Sequence, residues 1–244
     1  MKNKYGLVGK NLSHSFSKKY FEAKFESLNL AEYLYINFEI ETINQITNVF
    51  KTENLNGLNI TNPYKSDIIP YINDLSNEAA EIKAVNCIKI DNGKTIGYNT
   101  DYYGFSQSIK PFLEPKHHTA LLIGTGGASK AVAFALKKIG VNVFFLSRNS
   151  VSKNTISYNQ LNEHVINACK LIVNCSPVGL FPNIDDYPNI PYNYITENHL
   201  CYDLIYNPDE TNFLKKCKEK GAIIVNGLSM LQLQAEKAWE IWNN

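Results

Sequence analysis

Lys65 and Asp101 are the side chains whose types and neighbours could move a proton. Lys65 closes the run Asn59-Ile60-Thr61-Asn62-Pro63-Tyr64-Lys65. Asn62 is a good helix cap and Pro63 a good first helical residue, so the spacing predicts Lys65 in the first turn of a helix. The positive end of that helix disfavours an ammonium, and partial burial adds to the effect. Both favour the neutral amine that a proton-transfer group needs. A nearby carboxylate would oppose that shift and orient the amine. Asp101, ending Gly97-Tyr98-Asn99-Thr100-Asp101 after a candidate strand, is the candidate partner. A solvated lysine and a simple cap on the next helix are the competing readings.

A second group suits a nucleotide. The apolar run Leu121-Leu122-Ile123 meets Gly124-Thr125-Gly126-Gly127-Ala128, a helical stretch to Ile139, and then Val141-Asn142-Val143-Phe144-Phe145-Leu146. Strand, glycine turn, helix and strand in this order form a dinucleotide-binding unit, with free amides at the helix start to hold a pyrophosphate. Ser129 stands where the strict fingerprint has its third glycine. The residue ending the second strand meets the adenosine ribose: an acid suits a free 2′-hydroxyl, an arginine a 2′-phosphate. Ser147 and Arg148 stand there with no acid beside them, and Arg148 is the single arginine of the chain. A guanidinium can grip phosphate through two parallel bonds, which an ammonium cannot. A surface arginine without a ligand is the alternative.

Other polar residues offer binding rather than chemistry. Ser13-His14-Ser15-Phe16-Ser17 places hydroxyls at a helix start, suited to a carboxylate or polyol, with capping by Ser17 as the competing explanation. Asn86, beside Val85, is either a ligand contact or a strand-end residue. The five histidines lack metal-ligand spacing, so no metal site is expected.

Composition narrows the classes. A net charge of +1 with 19% charged residues gives no basic field for nucleic acid and no acidic tail, which leaves small-molecule chemistry. The five cysteines are odd in number and show no Cys-x-x-Cys spacing, as expected of reduced thiols. The apolar run after Met1-Lys2-Asn3-Lys4 reaches only Val8, too short for a signal peptide or a membrane helix, so a soluble cytoplasmic protein is expected.

The elements that must position these groups read as two α/β series. The first has strands near 5–8, 33–38, 57–61, 85–90 and 95–98, with helices near 17–28, 43–51 and 76–82. A helix from Asp101 toward Ile109 leads to a proline-punctuated link. The second has strands at 120–123, 141–146, 171–174, 200–204 and 222–225, joined by helices near 130–139 and 211–220, which predicts a doubly wound parallel sheet. The stretch from Arg148 to Leu171 reads as a short or irregular crossover, and 183–198 as a loop. Ser229-Met230-Leu231-Gln232 reads as a capping box opening a last helix. The stripe Leu228, Leu231, Ala235, Ala238, Trp239 and Trp242 predicts that this helix returns to the first domain. The expected domains are 1–103 with 227–244 for the substrate, and 104–226 for the nucleotide.

Taken together, the pieces resemble the shikimate dehydrogenases over nearly the whole chain. The resemblance rests on Ser15-Phe16-Ser17, Asn59 to Lys65, Ala84-Val85-Asn86, Asn99-Thr100-Asp101 and Gly124 to Ala128. It continues through Asn174-Cys175-Ser176-Pro177-Val178-Gly179, Tyr202-Asp203-Leu204-Ile205-Tyr206-Asn207-Pro208 and the run Gly227 to Ala235. It implies a Rossmann-type NADP-binding domain and reversible, NADPH-dependent reduction of 3-dehydroshikimate to shikimate, in aromatic amino acid biosynthesis. By the same resemblance Lys65 is the proton donor and acceptor and Asp101 its hydrogen-bonding partner. Ser15, Ser17, Thr61, Asn86, Asp101, Tyr206 and Gln234 hold the substrate. Gly124, Thr125, Gly126, Gly127 and Ala128 carry the pyrophosphate, Ser147, Arg148 and Asn149 the 2′-phosphate end, and Leu204 and Gly227 the nicotinamide end. Ser147-Arg148-Asn149 replaces the family's usual Asn-Arg-Thr. The alternatives are an NAD-preferring quinate/shikimate dehydrogenase, which an acid at 147 or 148 would have favoured, and a non-catalytic nucleotide-sensing protein, which should have lost Lys65 or Asp101. A monomer or homodimer is expected, with a small-molecule substrate as the partner.

Overall fold

A computed structural model describes residues 2–13, 15–148 and 153–244. Contacts divide the chain into two compact units, residues 1–100 with 235–244, and residues 101–234. The sequence reading assigns 101–103 and 227–234 the other way.

The first unit runs β1 (Asn3–Gly9), α1 (Phe16–Ser27), β2 (Tyr33–Glu39), α2 (Ile46–Val49), β3 (Leu55–Ile60), β4 (Asp74–Leu75), α3 (Asn77–Ile82), β5 (Cys87–Asp91) and β6 (Lys94–Tyr98). Its sheet has the order β2-β1-β3-β5-β6-β4. The β1 strand pairs in parallel with β2 and β3, while β5 runs antiparallel to β3 and β6. The two-residue β4 is too short to leave a periodic signal.

The second unit contributes α4 (Asp101–Ile109), β7 (Thr119–Ile123), α5 (Gly127–Lys138), β8 (Asn142–Ser147), β9 (Thr155–Ser157), α6 (Glu163–Ala168), β10 (Leu171–Asn174), β11 (Leu200–Asp203), α7 (Asn212–Lys218), β12 (Ile223–Val225) and the start of α8 (Leu228–Asn243). Every pairing in its sheet is parallel, in the order β12-β11-β10-β7-β8-β9. This is the doubly wound Rossmann order, which reverses direction between β7 and β10. All of β7, β10 and β11 is buried, as expected of strands covered on both faces. The sixth strand, β9, escapes the sequence reading: three half-buried residues in a polar stretch carry no alternation to read.

The last helix crosses from one unit to the other. It starts at Leu228, where the Asn226 side chain accepts the Leu228 amide at 3.2 Å, so Ser229 and Gln232 are not the capping pair that their spacing suggests. Its final turns belong to the first unit. There Ala235, Ala238 and Trp242 are buried among Tyr5, Phe21, Phe25 and Tyr35, and the Trp242 indole donates to Ile88 O at 3.0 Å. Lys24 also pairs with Glu236 at 2.6 Å. A half-exposed ion pair contributes at most about 1 kcal/mol, whereas each buried aromatic contributes roughly 1.5–3 kcal/mol, so ring burial anchors the helix.

Candidate active site

In the first unit the loop after β3 carries Thr61 and Lys65. The Asn62–Pro63 peptide is cis, and residues 62–68 form consecutive turns rather than a helix. A bond of α-helical span, Ile68 N–H to Tyr64 O, forms, and the chain then tightens into the short 3-10 turn Ile69–Tyr71, where Pro70 has no amide to extend an α-helical ladder. The helix end expected to act on Lys65 is therefore absent. Lys65 is half-buried, and its carbonyl accepts the Val85 amide at 2.7 Å, fixing its backbone beside Ala84-Val85-Asn86.

Ser15 occupies the cap position of α1 without capping it, and its buried Oγ has no hydrogen-bond partner among the described residues. Ser17 lies inside the first turn, so the expected cap at Ser17 does not form; it hydrogen-bonds Tyr35 instead. A polar chain continues inward from there. Tyr35 Oη donates to Asn59 Oδ1 at 2.7 Å, and Asn59 Nδ2 donates to Asn86 O at 3.3 Å. Burial raises the Tyr35 hydroxyl well above its ordinary pKa, so it remains a neutral donor. Asn86 Oδ1 accepts the Thr100 amide at 2.6 Å, while its Nδ2 donates to Thr100 Oγ1 at 3.0 Å. Asn86 is thus neither only a strand-end residue nor free for a ligand alone: it fixes the chain where it enters Asp101. Sequence reasoning misses Tyr35 and Asn59. Asn59 at least opens the run that ends at Lys65, whereas Tyr35 stands among other polar residues of β2, Tyr33, Asn37 and Glu39, and carries no signal of its own.

In the second unit Asp101 is the first residue of α4 and is buried. It therefore stands in the first turn of α4, at the helix's positive end. Gln234 is buried on α8 against the Gly104 face of α4, with Nε2 donating to Leu231 O at 2.9 Å. Tyr206 is half-buried in the turn after β11, and burial raises its pKa.

The nucleotide residues gather along one edge of the second sheet. Ile123 pairs with Leu146 and with Asn174, and Asn174 with Asp203, so the loops after β7, β8, β10 and β11 leave at the same level. Gly124 has φ +105°, and a Cβ there would come within 3.3 Å of Ser176 N, so the glycine turn and the loop after β10 touch. No side chain caps α5 at Gly126, and a Cβ on Gly126 would meet nothing within 4 Å. The start of α5 is thus open at Gly126, with Thr125 and Gly126 exposed and Gly127 and Ala128 half-buried. That fits a pyrophosphate held by backbone amides. Ser129, at the third glycine position, is fully buried.

Ser147 ends β8, and Arg148 follows it, exposed. Its charge reaches Tyr158, where it opposes the rise that burial causes in that hydroxyl's pKa. Asn149 lies outside the described residues. Leu204 and Gly227 meet closely: Gly227 N–H donates to Ile205 O at 3.0 Å, and Leu204 N–H donates to Asn174 O at 3.0 Å.

Among the described residues no group of three or more histidines, cysteines, aspartates and glutamates could hold a metal ion, and no helix is long and apolar enough to cross a membrane. A cavity of about 480 Å³ beside α1 and β2 is lined by Glu26, Leu30, Tyr33 and neighbours and contains none of the candidate residues.

Comparison with known proteins finds matches among shikimate dehydrogenases. A family model described as the shikimate dehydrogenase substrate binding domain matches residues 7–88. The NADP(+) shikimate dehydrogenase of Methanococcus aeolicus is 38% identical over 97% of this chain and 90% of its own length. The crystal structure of shikimate dehydrogenase from Aquifex aeolicus matches with a TM-score of 0.88 at 36% identity, covering 99% of this chain and 92% of that one. A Thermus thermophilus enzyme solved with NADP(H) and shikimate matches with a TM-score of 0.84 at 29% identity, covering 98% and 93%.

Proposed function

The chain belongs to the shikimate dehydrogenase family, and from that membership we propose the part each site residue plays. It is an NADP-dependent oxidoreductase that reversibly reduces 3-dehydroshikimate to shikimate, in aromatic amino acid biosynthesis. The NAD-preferring and the non-catalytic alternatives are not favoured.

Reducing a ketone takes a hydride and a proton. NADPH supplies the hydride when bound. Lys65 Nζ gives the proton to the oxygen on which negative charge develops and takes it back in the reverse direction. The Asp101 carboxylate accepts a hydrogen bond from that amine and orients it. Ser15, Ser17, Thr61, Asn86, Tyr206 and Gln234 hold the carboxylate and hydroxyls of the substrate. The Ser15 hydroxyl, buried and without a partner among the described residues, supports this, because such a group is costly unless a ligand completes it.

The amides from Gly124 to Ala128 hold the pyrophosphate, Arg148 with Ser147 and Asn149 the 2′-phosphate, and Leu204 and Gly227 the nicotinamide end. The observation that carries the nucleotide assignment is the pairing of Ile123 with Leu146. It sets the uncapped start of α5 and the exposed Arg148 on adjacent strand ends. The substrate and the nucleotide are both small and water-soluble, which supports a cytoplasmic enzyme.

The test is reduction of NADP+ and of NAD+, each with shikimate and with quinate, by the wild-type protein. Turnover of shikimate with NADP+ as the preferred pair is expected. No reduction of either cofactor with either substrate would overturn the assignment.

A further inference from the structure

Asp203 ends β11 with no exposed surface, and no cation pairs with it among the described residues. Its carboxylate has three neutral donors. Oδ1 accepts Asn174 Nδ2 at 3.1 Å and the Ile205 amide at 3.0 Å, and Oδ2 accepts the Thr211 hydroxyl at 2.7 Å. Burial pushes its pKa up to about 6 against the pull of these bonds. A buried carboxylate without a cation is an expensive way to hold a fold together, so its position calls for a role beyond packing.

What it ties together lies at the carboxyl edge of the sheet. Ile205 belongs to the turn after β11, next to Leu204. Thr211 caps α7, its hydroxyl also accepting the Leu214 amide at 3.3 Å. Asn174 ends β10 and extends the network: its Oδ1 accepts the Ser176 amide at 3.1 Å and the Ser176 hydroxyl at 2.7 Å, and its Nδ2 donates to Val178 O at 3.2 Å. Ser176 in turn abuts the glycine turn at Gly124. One carboxylate therefore fixes two loops beside the topological switch point, where ligands of such sheets bind. Neither loop carries Arg148.

We propose that Asp203 is a positioning residue for hydride transfer: it holds the turns after β10 and β11 on the nicotinamide half of the cofactor site, and leaves the adenosine half untouched. This rests on the assignment of Leu204 and Gly227 to the nicotinamide end. Misplacement of a reacting group by about 1 Å can cost roughly a hundredfold in rate, so loss of the network should appear in kcat.

The experiment compares wild type, Asp203→Asn and Asp203→Ala for kcat, for KM of shikimate and NADP+, and for the Kd of adenosine 2′,5′-bisphosphate, which probes the Arg148 end alone. Asparagine keeps an oxygen for Asn174 and Ile205, and the Thr211 hydroxyl can turn to accept from its amide, so Asp203→Asn should stay within a few-fold of wild-type kcat. Alanine leaves the donors without an acceptor and should lower kcat by roughly ten- to a hundredfold, with bisphosphate affinity unchanged. Unchanged kcat in a folded Asp203→Ala protein would overturn the proposal. So would equal losses in kcat and in bisphosphate affinity, which would mean collapse of the whole unit. If Asp203→Ala does not fold, Ser176→Ala removes the far end of the network at a half-buried position. It should lower kcat several-fold with bisphosphate affinity kept, and wild-type kcat in that variant would count against the role. An inactive wild-type protein would instead refute the assignment of function.

Discussion

A Cβ on Gly227 would stand 2.1 Å from the carbonyl oxygen of Leu204 and 2.5 Å from its carbonyl carbon. Both obstacles are backbone, so no rotamer can relieve them. The turn after β11 and the start of α8 can lie this close only because residue 227 has no side chain. Gly227→Ala should therefore displace the Leu204 turn, costing about 1–3 kcal/mol of stability as overpacking does. It should also raise the KM for NADP+. Urea unfolding together with initial-rate kinetics checks this, and a variant with the wild-type midpoint and wild-type kinetics would show that the turn yields without cost.

Arg148 is exposed at the end of β8, so removing its side chain should leave folding alone. A hydrogen bond to a charged group contributes about 1.5–3 kcal/mol, equivalent to roughly ten- to a hundredfold in affinity. Arg148→Ala should raise the KM for NADP+ by that factor and change that for NAD+ little. Arg148→Lys should recover part of the loss, since the charge returns without the fork. Equal effects on both cofactors would remove the 2′-phosphate role.

Legibility followed the range of the signals. The order strand, glycine turn, helix, strand is local, and the Leu121 to Leu146 segment folds as its periodicity predicts. The Lys65 segment also has the local marks of a helix start, yet it folds as consecutive turns that pass into the short 3-10 turn Ile69–Tyr71, where Pro70 has no amide for an α-helical ladder. The chain from Ser17 through Tyr35, Asn59 and Asn86 to Thr100 joins distant segments, and no spacing rule connects them. Asp203 is similar: its partner Asn174 lies 29 residues earlier, and only the parallel register brings the two side by side. An acid at the carboxyl end of an apolar strand was the one clue available.

Two histidines set an acid limit on stability. His117 and His199 are buried just before β7 and β11, and burial lowers the pKa of each below its ordinary value of 6.5. His117 Nδ1 accepts the Glu114 amide at 3.0 Å and His199 Nδ1 accepts the Thr196 amide at 3.0 Å, so a second proton would face a donor. The folded state binds fewer protons than the unfolded state below about pH 6.5. Their contribution is thus full above that pH and is lost as pH falls through the lowered folded values. The raised pKa of Asp203 opposes this trend but is common to both proteins, so urea unfolding free energies at pH 7.5, 6.5 and 5.5 should change less favourably toward acid in the wild type than in the His117→Gln/His199→Gln double variant. An identical slope in the variant would assign the acid limit to other groups.

Lys65 offers the sharpest separation of chemistry from structure. Its side chain is half-buried, and the bond that fixes its backbone, Val85 N–H to Lys65 O at 2.7 Å, survives any substitution that keeps the carbonyl in place. Lys65→Ala should still unfold cooperatively in urea, with a loss of no more than about 1 kcal/mol in unfolding free energy, the centre of the range for single substitutions. It should also bind NADP+ as before. Turnover should fall by roughly a hundred- to ten-thousandfold, the range for loss of a general acid–base group. Added primary amines, which can deliver the missing proton, should restore part of kcat in proportion to their concentration. Full turnover by a folded Lys65→Ala protein would transfer the proton step to another side chain, whereas a fall in kcat accompanied by unfolding would leave Lys65 with a structural role alone.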